Sequence, residues 1–122
     1  MKRKNKTAIP EIFAQQINVI PRRFEVVPVP ENPTTIEGLQ EKIFTDRYAW
    51  KDEQGSPMET VPDQMWIRVA KAIAAVEKTP KLKQIWEERF FYSLSDFKFL
   101  PGGRILSAAG TGYEVTYYNC FV

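Results

Sequence analysis

The chain has 122 residues, 43% hydrophobic and 26% charged, with a formal net charge of +2. That composition belongs to a folded chain, and the length suits one ordinary domain that buries about two-thirds of its unfolded surface. No apolar run reaches the roughly 18–20 residues of a membrane span, the lack of histidine removes His-based triads and the usual zinc enzymes, and a single cysteine, Cys120, excludes a disulfide within the chain.

Residues 1–7 read as a basic polar tail that solubilises the chain, with nonspecific contact to nucleic acid as the competing reading. Lys2, Arg3, Lys4 and Lys6 lie here, so the rest of the chain is near neutral and carries no nucleic-acid-binding face. The start lacks a signal-peptide core, which together with the lone thiol suggests a reducing, cytoplasmic location. Pro10 opens a short expected helix to Asn18. Residues 19–33, with Pro21, Pro28, Pro30 and Pro33, read as an extended arm wrapping a neighbouring surface, a polyproline ligand being the alternative.

Thr34 or Thr35 can cap a helix over Ile36–Phe44, which Gly38 weakens. Residues 46–57 follow as a short extended segment and a polar turn. Thr60 and Asp63 suggest a reciprocal cap for a helix running to about Lys78. Its expected apolar stripe is Met65, Trp66, Val69, Ala70, Ile73 and Val76, with Arg68, Lys71 and Glu77 toward solvent. Thr79-Pro80 starts another helix, expected over Pro80–Leu94. Leu82, Ile85, Trp86, Phe90, Leu94 and the stem of Arg89 should face inward, and Phe91 and Tyr92 widen the apolar face so that it needs cover on more than one side. There is no internal repeat and no low-complexity segment.

Residues 99–122 change character. Pro101-Gly102-Gly103-Arg104 reads as a tight turn with positive φ, in which Arg104 meets a carboxylate or phosphate or forms a structural ion pair. It is not a Walker loop, and Gly110-Thr111-Gly112 is not a dinucleotide fingerprint. The small residues Ser107-Ala108-Ala109-Gly110-Thr111 make a turn whose amides could lie against a phosphate. Glu114–Val122 reads as a strand, with Thr116, Tyr118, Cys120 and Val122 on one face and Asn119 on the other. By composition alone, a lone cysteine in such a run is a small core residue.

Three segments carry a resemblance: Leu100-Pro101-Gly102-Gly103-Arg104-Ile105-Leu106, Ala108-Ala109-Gly110-Thr111 and Asn119-Cys120-Phe121-Val122. Together they resemble the start of the catalytic barrel in the large subunit of ribonucleotide reductases, most of all the adenosylcobalamin-dependent (class II) branch. Arg47-Tyr48 and Lys51-Asp52-Glu53, with Gly55 after them, are similar to the family's N-terminal region. The implied fold is mainly α: a small N-terminal helical domain, then the first strand of a ten-stranded α/β barrel that is otherwise missing. The implied division is a basic tail and Pro-rich arm over 1–34, an all-α domain over 35–98 and the start of the barrel over 99–122.

The resemblance also implies a function, conversion of ribonucleotides to deoxyribonucleotides by radical chemistry. It makes Cys120 the first thiol of the redox pair that reduces the ribose, and sets Ser107, Ala108, Ala109 and Asn119 by the substrate. The second redox cysteine, the thiyl-radical cysteine and adenosylcobalamin would all lie outside this chain, so the isolated chain is expected to be inactive. The implied partners are the remainder of the reductase chain, a ribonucleotide di- or triphosphate, a nucleotide effector and a thioredoxin-type reductant, with no membrane and with dimerisation open. The region before the helices is too short for an ATP-binding cone. Class I large subunits share parts of the pattern. The alternative is a small non-enzymatic helical interaction or phage structural module.

Overall fold

The computed structural model describes residues 23–118 and Cys120. The expected tail over 1–7 and helix over 10–18 lie outside the described residues, as does Asn119. Among the described residues there are four α-helices: α1 (Leu39–Ile43), α2 (Pro62–Ala74), α3 (Pro80–Leu94) and α4 (Gly103–Ala108). A π-helical turn, Phe44–Tyr48, continues α1, and a 3₁₀ turn, Ser95–Phe97, follows α3.

The first helix is shorter than its apolar pattern suggests. Gly38, at φ 59°, stands at its N-terminus, where a residue with a side chain would be strained, so residues 35–37 stay out of the helix. Leu39 is exposed and Phe44 is buried, because the wider π turn swings Phe44 into the core. On the outside of this turn the Lys42 ammonium donates to Asp46 Oδ2 at 2.8 Å. That hydrogen bond and the Lys42 charge hold the Asp46 carboxyl below its usual 3.8.

The central element is α2. Val61 is its extended N-cap and Pro62 its first residue. The side chain that reaches back is Gln64: its Oε1 accepts from the N–H groups of Thr60 at 2.7 Å and Val61 at 3.2 Å. Asp63, expected in that role, instead accepts from the Thr34 N–H at 2.8 Å and the Thr34 hydroxyl at 3.3 Å. The reason is register: with Pro62 first, the third helical position belongs to residue 64. The helix ends at Ala74, four residues before the expected stop, and Val76 is exposed. Pro80 disfavours helical backbone at Thr79, and the chain needs residues 75–79 to turn α3 back against α2. The two helices form the largest inter-element contact of the fold.

The ends of α3 are those its caps dictate. The Thr79 hydroxyl accepts from the Leu82 N–H at 3.2 Å, and Pro80 opens the helix. Its inward face is thinner than expected: Leu94 alone is buried, Ile85, Trp86, Phe90 and Phe91 are half-buried, and Leu82 is exposed. Arg89 lies outside, its guanidinium 5.0 Å from the Trp86 ring centre. After the helix the chain reverses through Asp96 and Phe97, both at positive φ (54° and 57°), and Phe97 packs edge-on against Trp66 at 5.1 Å. The core comprises Phe44, Met65, Trp66, Val69, Leu94 and Leu106, together with Ala49 and Ala109.

Residues 24–36 form neither helix nor strand, bend at residues 31–32, and meet the N-terminal end of α2 at Val27 and Thr34. The Val27 carbonyl accepts from Gln64 Nε2, and the Phe24 N–H donates to the Gly110 carbonyl at 2.9 Å. Arg23 bridges Thr111 in antiparallel fashion, its guanidinium 5.2 Å from the Trp50 ring centre.

Two expectations for residues 99–122 change. Gly102 has φ −54°, and the six residues from Gly103 form α4 in place of a left-handed turn. Gly103 serves close approach, since a Cβ there would stand 3.3 Å from Tyr48 Cε1. The positive φ falls later, at Gly110 (79°) and Gly112 (83°). Beyond them no β-strand forms among the described residues, and 113–118 show no ladder, because a strand needs a neighbour to receive its hydrogen bonds.

Gly110 and Gly38 make a matched test. Both have positive φ, yet a Cβ at Gly38 meets nothing within 4 Å, while one at Gly110 meets Arg68 Cγ at 3.0 Å and Phe24 Cδ2 at 3.1 Å. By chemical denaturation Gly38→Ala should cost about 1–3 kcal/mol, the backbone strain alone. Gly110→Ala should cost about 2–4 kcal/mol, strain plus overpacking. Asp46 gives a second test. Its folded value lies below the unfolded one, so the contribution of its contact is complete above the unfolded value and is lost as pH falls through the folded one. Carboxyl-carbon NMR should place the Asp46 midpoint below 3.8, and Lys42→Met should raise it.

Candidate functional site

The residues around the C-terminal end of α4 are gathered by one buried ion pair. Tyr48 and Ala49 end the π turn, and the polar turn 52–56 sends the chain back so that the Met58 N–H donates to the Trp50 carbonyl at 2.7 Å. Asp52 organises that turn, its Oδ1 accepting from the N–H groups of Gln54 and Ser56. Glu59 is thereby drawn under Trp50, where its Oε2 accepts from the Trp50 N–H at 3.0 Å.

Arg68, expected toward solvent, is fully buried and meets Glu59, which is buried as well. Its Nε donates to Glu59 Oε1 at 2.6 Å and its Nη2 to Glu59 Oε2 at 3.0 Å, a bidentate pair. The rest of the guanidinium spreads over backbone oxygens: Nη1 to Ala109 at 2.6 Å, Nη2 to Leu106 at 2.9 Å and to Tyr48 at 3.4 Å. The carbonyls of Leu106 and Ala109 belong to the last turn of α4 and its C-cap, which lack partners inside the helix. A cation at a helix C-terminus also complements its dipole.

Ser107, Ala108 and Ala109 sit in this grip. Ser107 is half-buried and its hydroxyl donates to the Arg104 carbonyl at 3.4 Å. Ala108 and Ala109 are buried. The Ala108 carbonyl accepts from both the N–H (3.1 Å) and the hydroxyl (2.7 Å) of Thr111, and the Ala109 N–H donates to Ile105. The amides of Ala109 and Thr111 are thus engaged within the turn. Arg104 Nη1 reaches the Thr116 carbonyl at 3.4 Å, and the Tyr113 hydroxyl donates to the Lys51 carbonyl at 2.8 Å. These contacts tether the segment that leads to Cys120. Cys120 itself is exposed at the far end of that segment. The structure therefore joins Ser107, Ala108 and Ala109 in one turn, with Cys120 further along. Among the described residues no three His, Cys, Asp or Glu side chains gather as a metal site, and no helix is long and apolar enough to cross a membrane.

Arg68 escaped sequence reasoning because a charged residue on an amphipathic helix normally marks its solvated side, and Glu59 because nothing local marks a loop carboxylate as buried. The available signal was the run of alanines at 70, 74 and 75, which marks α2 as closely surrounded and not merely one-sided.

The profile of the family described as "Ribonucleotide reductase, all-alpha domain" matches residues 38–114. The chain belongs to that family. The matched region holds the whole assembly around Arg68, from the π turn through α4, and ends before Cys120. Over 82 residues, 66% of this chain, it is 35% identical to the "Vitamin B12-dependent ribonucleoside-diphosphate reductase" of Mycobacterium tuberculosis strain CDC 1551 / Oshkosh. The protein of the same name in strain ATCC 25618 / H37Rv gives the same identity over the same length. The alignments span only 12% and 11% of those relatives. No solved structure matches the chain. A mainly helical fold is what a ribonucleotide reductase all-alpha domain should have, and the helices found here agree with it.

Removing one partner of a buried pair leaves the other charge uncompensated. Glu59→Ala should lower stability by about 3–5 kcal/mol in chemical denaturation. Replacing the exposed Glu53 by Ala should change it by no more than about 0.5 kcal/mol.

Proposed function

We propose that this chain is the N-terminal piece of a B12-dependent ribonucleoside-diphosphate reductase, carrying the all-alpha domain and the segment that delivers the first redox cysteine to a catalytic barrel. The family match over residues 38–114 carries this reading, and the likeness to the two mycobacterial reductases supports the B12-dependent branch. The helical domain acts as a platform. It holds the turn 107–109 by its buried arginine and leads the chain out past Tyr113 and Thr116 toward Cys120.

In this reading the ribonucleotide lies by Ser107, Ala108, Ala109 and Asn119. Cys120 and a second thiol from the barrel become a disulfide as the ribose 2′-hydroxyl leaves: one ribonucleotide and two thiols give one deoxyribonucleotide, one disulfide and one water. The two electrons come from the two sulfurs, and a thioredoxin-type reductant restores the thiols by exchange. The exposure of Cys120 suits such an exchange. Adenosylcobalamin supplies the radical chemistry and is held outside this chain. The run expected from Glu114 to Val122 would complete the first barrel strand on meeting its neighbour.

The test is reconstitution of this chain with a polypeptide supplying the remainder of a B12-dependent reductase. The unaltered chain should support turnover with thioredoxin or dithiothreitol. Cys120→Ser should reduce multiple turnover to background while exchange of the ribose 3′-hydrogen persists. Undiminished multiple turnover in Cys120→Ser would refute the redox role.

A further inference from the structure

We propose that Arg68 is a positioning residue for ribonucleotide binding, fixing the turn 107–109 through the carbonyls on either side of it; this rests on the reductase reading above. The turn cannot hold itself. Its helix, α4, has six residues, far fewer than an isolated helix needs to persist in water, and its last carbonyls have no partner within it.

Arg68 supplies what is missing from outside. Its guanidinium binds the Leu106 and Ala109 carbonyls at 2.9 and 2.6 Å, bracketing Ser107 and Ala108. Being planar, it can make those contacts only in one orientation, and Glu59 sets that orientation by gripping the adjacent edge at Nε and Nη2. The stem has no slack either. It passes Gly110 so closely that a Cβ there would lie 3.0 Å from Arg68 Cγ. The turn is therefore referenced to α2, the most buried helix of the fold, through a single fully desolvated side chain. Ser107 remains the adaptable member. Its hydroxyl makes only a long contact of 3.4 Å to Arg104, which a phosphate or ribose oxygen can replace.

A residue that merely supported the fold would change how much enzyme is active. A positioning residue changes how the active enzyme holds substrate. The experiment uses the reconstituted enzyme with Arg68→Lys, which keeps the charge and loses the fork, and Glu59→Gln, which keeps an acceptor and loses the orienting charge. Both should raise KM for the ribonucleotide about tenfold or more, with a smaller change in kcat. Hydrogen exchange should quicken at the amides of Ala109 and Thr111 and stay slow in α2. A fall in kcat at unchanged KM overturns the proposal, and so does unfolding of the whole domain in both variants, since the pair would then hold the fold and not the turn. If the unaltered chain gives no turnover with the barrel, the reductase reading fails and this inference falls with it. If the unaltered chain is active and both variants keep its KM, this inference alone fails.

Discussion

The course of the irregular segments around α2 depends on one desolvated guanidinium. Taking Arg68 out of water is costly, and the cost is recovered only when every donor has a partner. Glu59 accounts for the charge, the Ala109 carbonyl accepts from Nη1, and the carbonyls of Leu106 and Tyr48 accept from Nη2. Those partners come from the π turn, the loop before α2 and the end of α4. None of these is long enough to be stable alone. A greasy residue at position 68 could fill the space, yet it would leave the ends of two short elements unpaired. The arginine therefore makes a small helical body specify the path of its irregular parts.

Around that centre the irregular segments are tied to the helices by side chains. Gln64 and Asp63, neighbours at the start of α2, reach different segments: Gln64 its own approach and the Val27 carbonyl, Asp63 the distant Thr34. The N-terminal end of α2 is thus satisfied by irregular chain on several sides. The opposite side of the domain is less complete. Along α3, Trp86 and Phe90 stack on each other at 5.4 Å and Arg89 lies over the indole, so the aromatic surface is covered by the helix's own side chains.

What the sequence made readable follows from the range of the forces involved. The limits of α3 and the start of α2 were legible because a threonine, a proline and their neighbours act within one turn. The irregular course of the chain before α2 was legible from its prolines. Arg68 was not, since its partners lie nine residues upstream and some forty downstream, and only the folded chain brings them together. The glycines were misassigned for a similar reason. Pro101-Gly102-Gly103 looks like a left-handed turn, but the ring that needs the missing Cβ is Tyr48, far back in the chain, while the strained backbone belongs to Gly110. Of the candidate site, the run 107–109 and Cys120 were singled out by the family resemblance, since composition alone reads them as a turn and a small core residue. The framework that holds the run did not.

The meeting of Phe24 with Gly110 has a consequence for how the domain relates to anything joined to it. Arg23, the first described residue, and Thr111, just past α4, pair with each other across the sequence. A loop closed in this way keeps its two ends together when its interior changes in length. It also cannot close until both ends have been synthesised, so a nascent chain keeps α2 only partly clothed until the residues around Gly110 emerge.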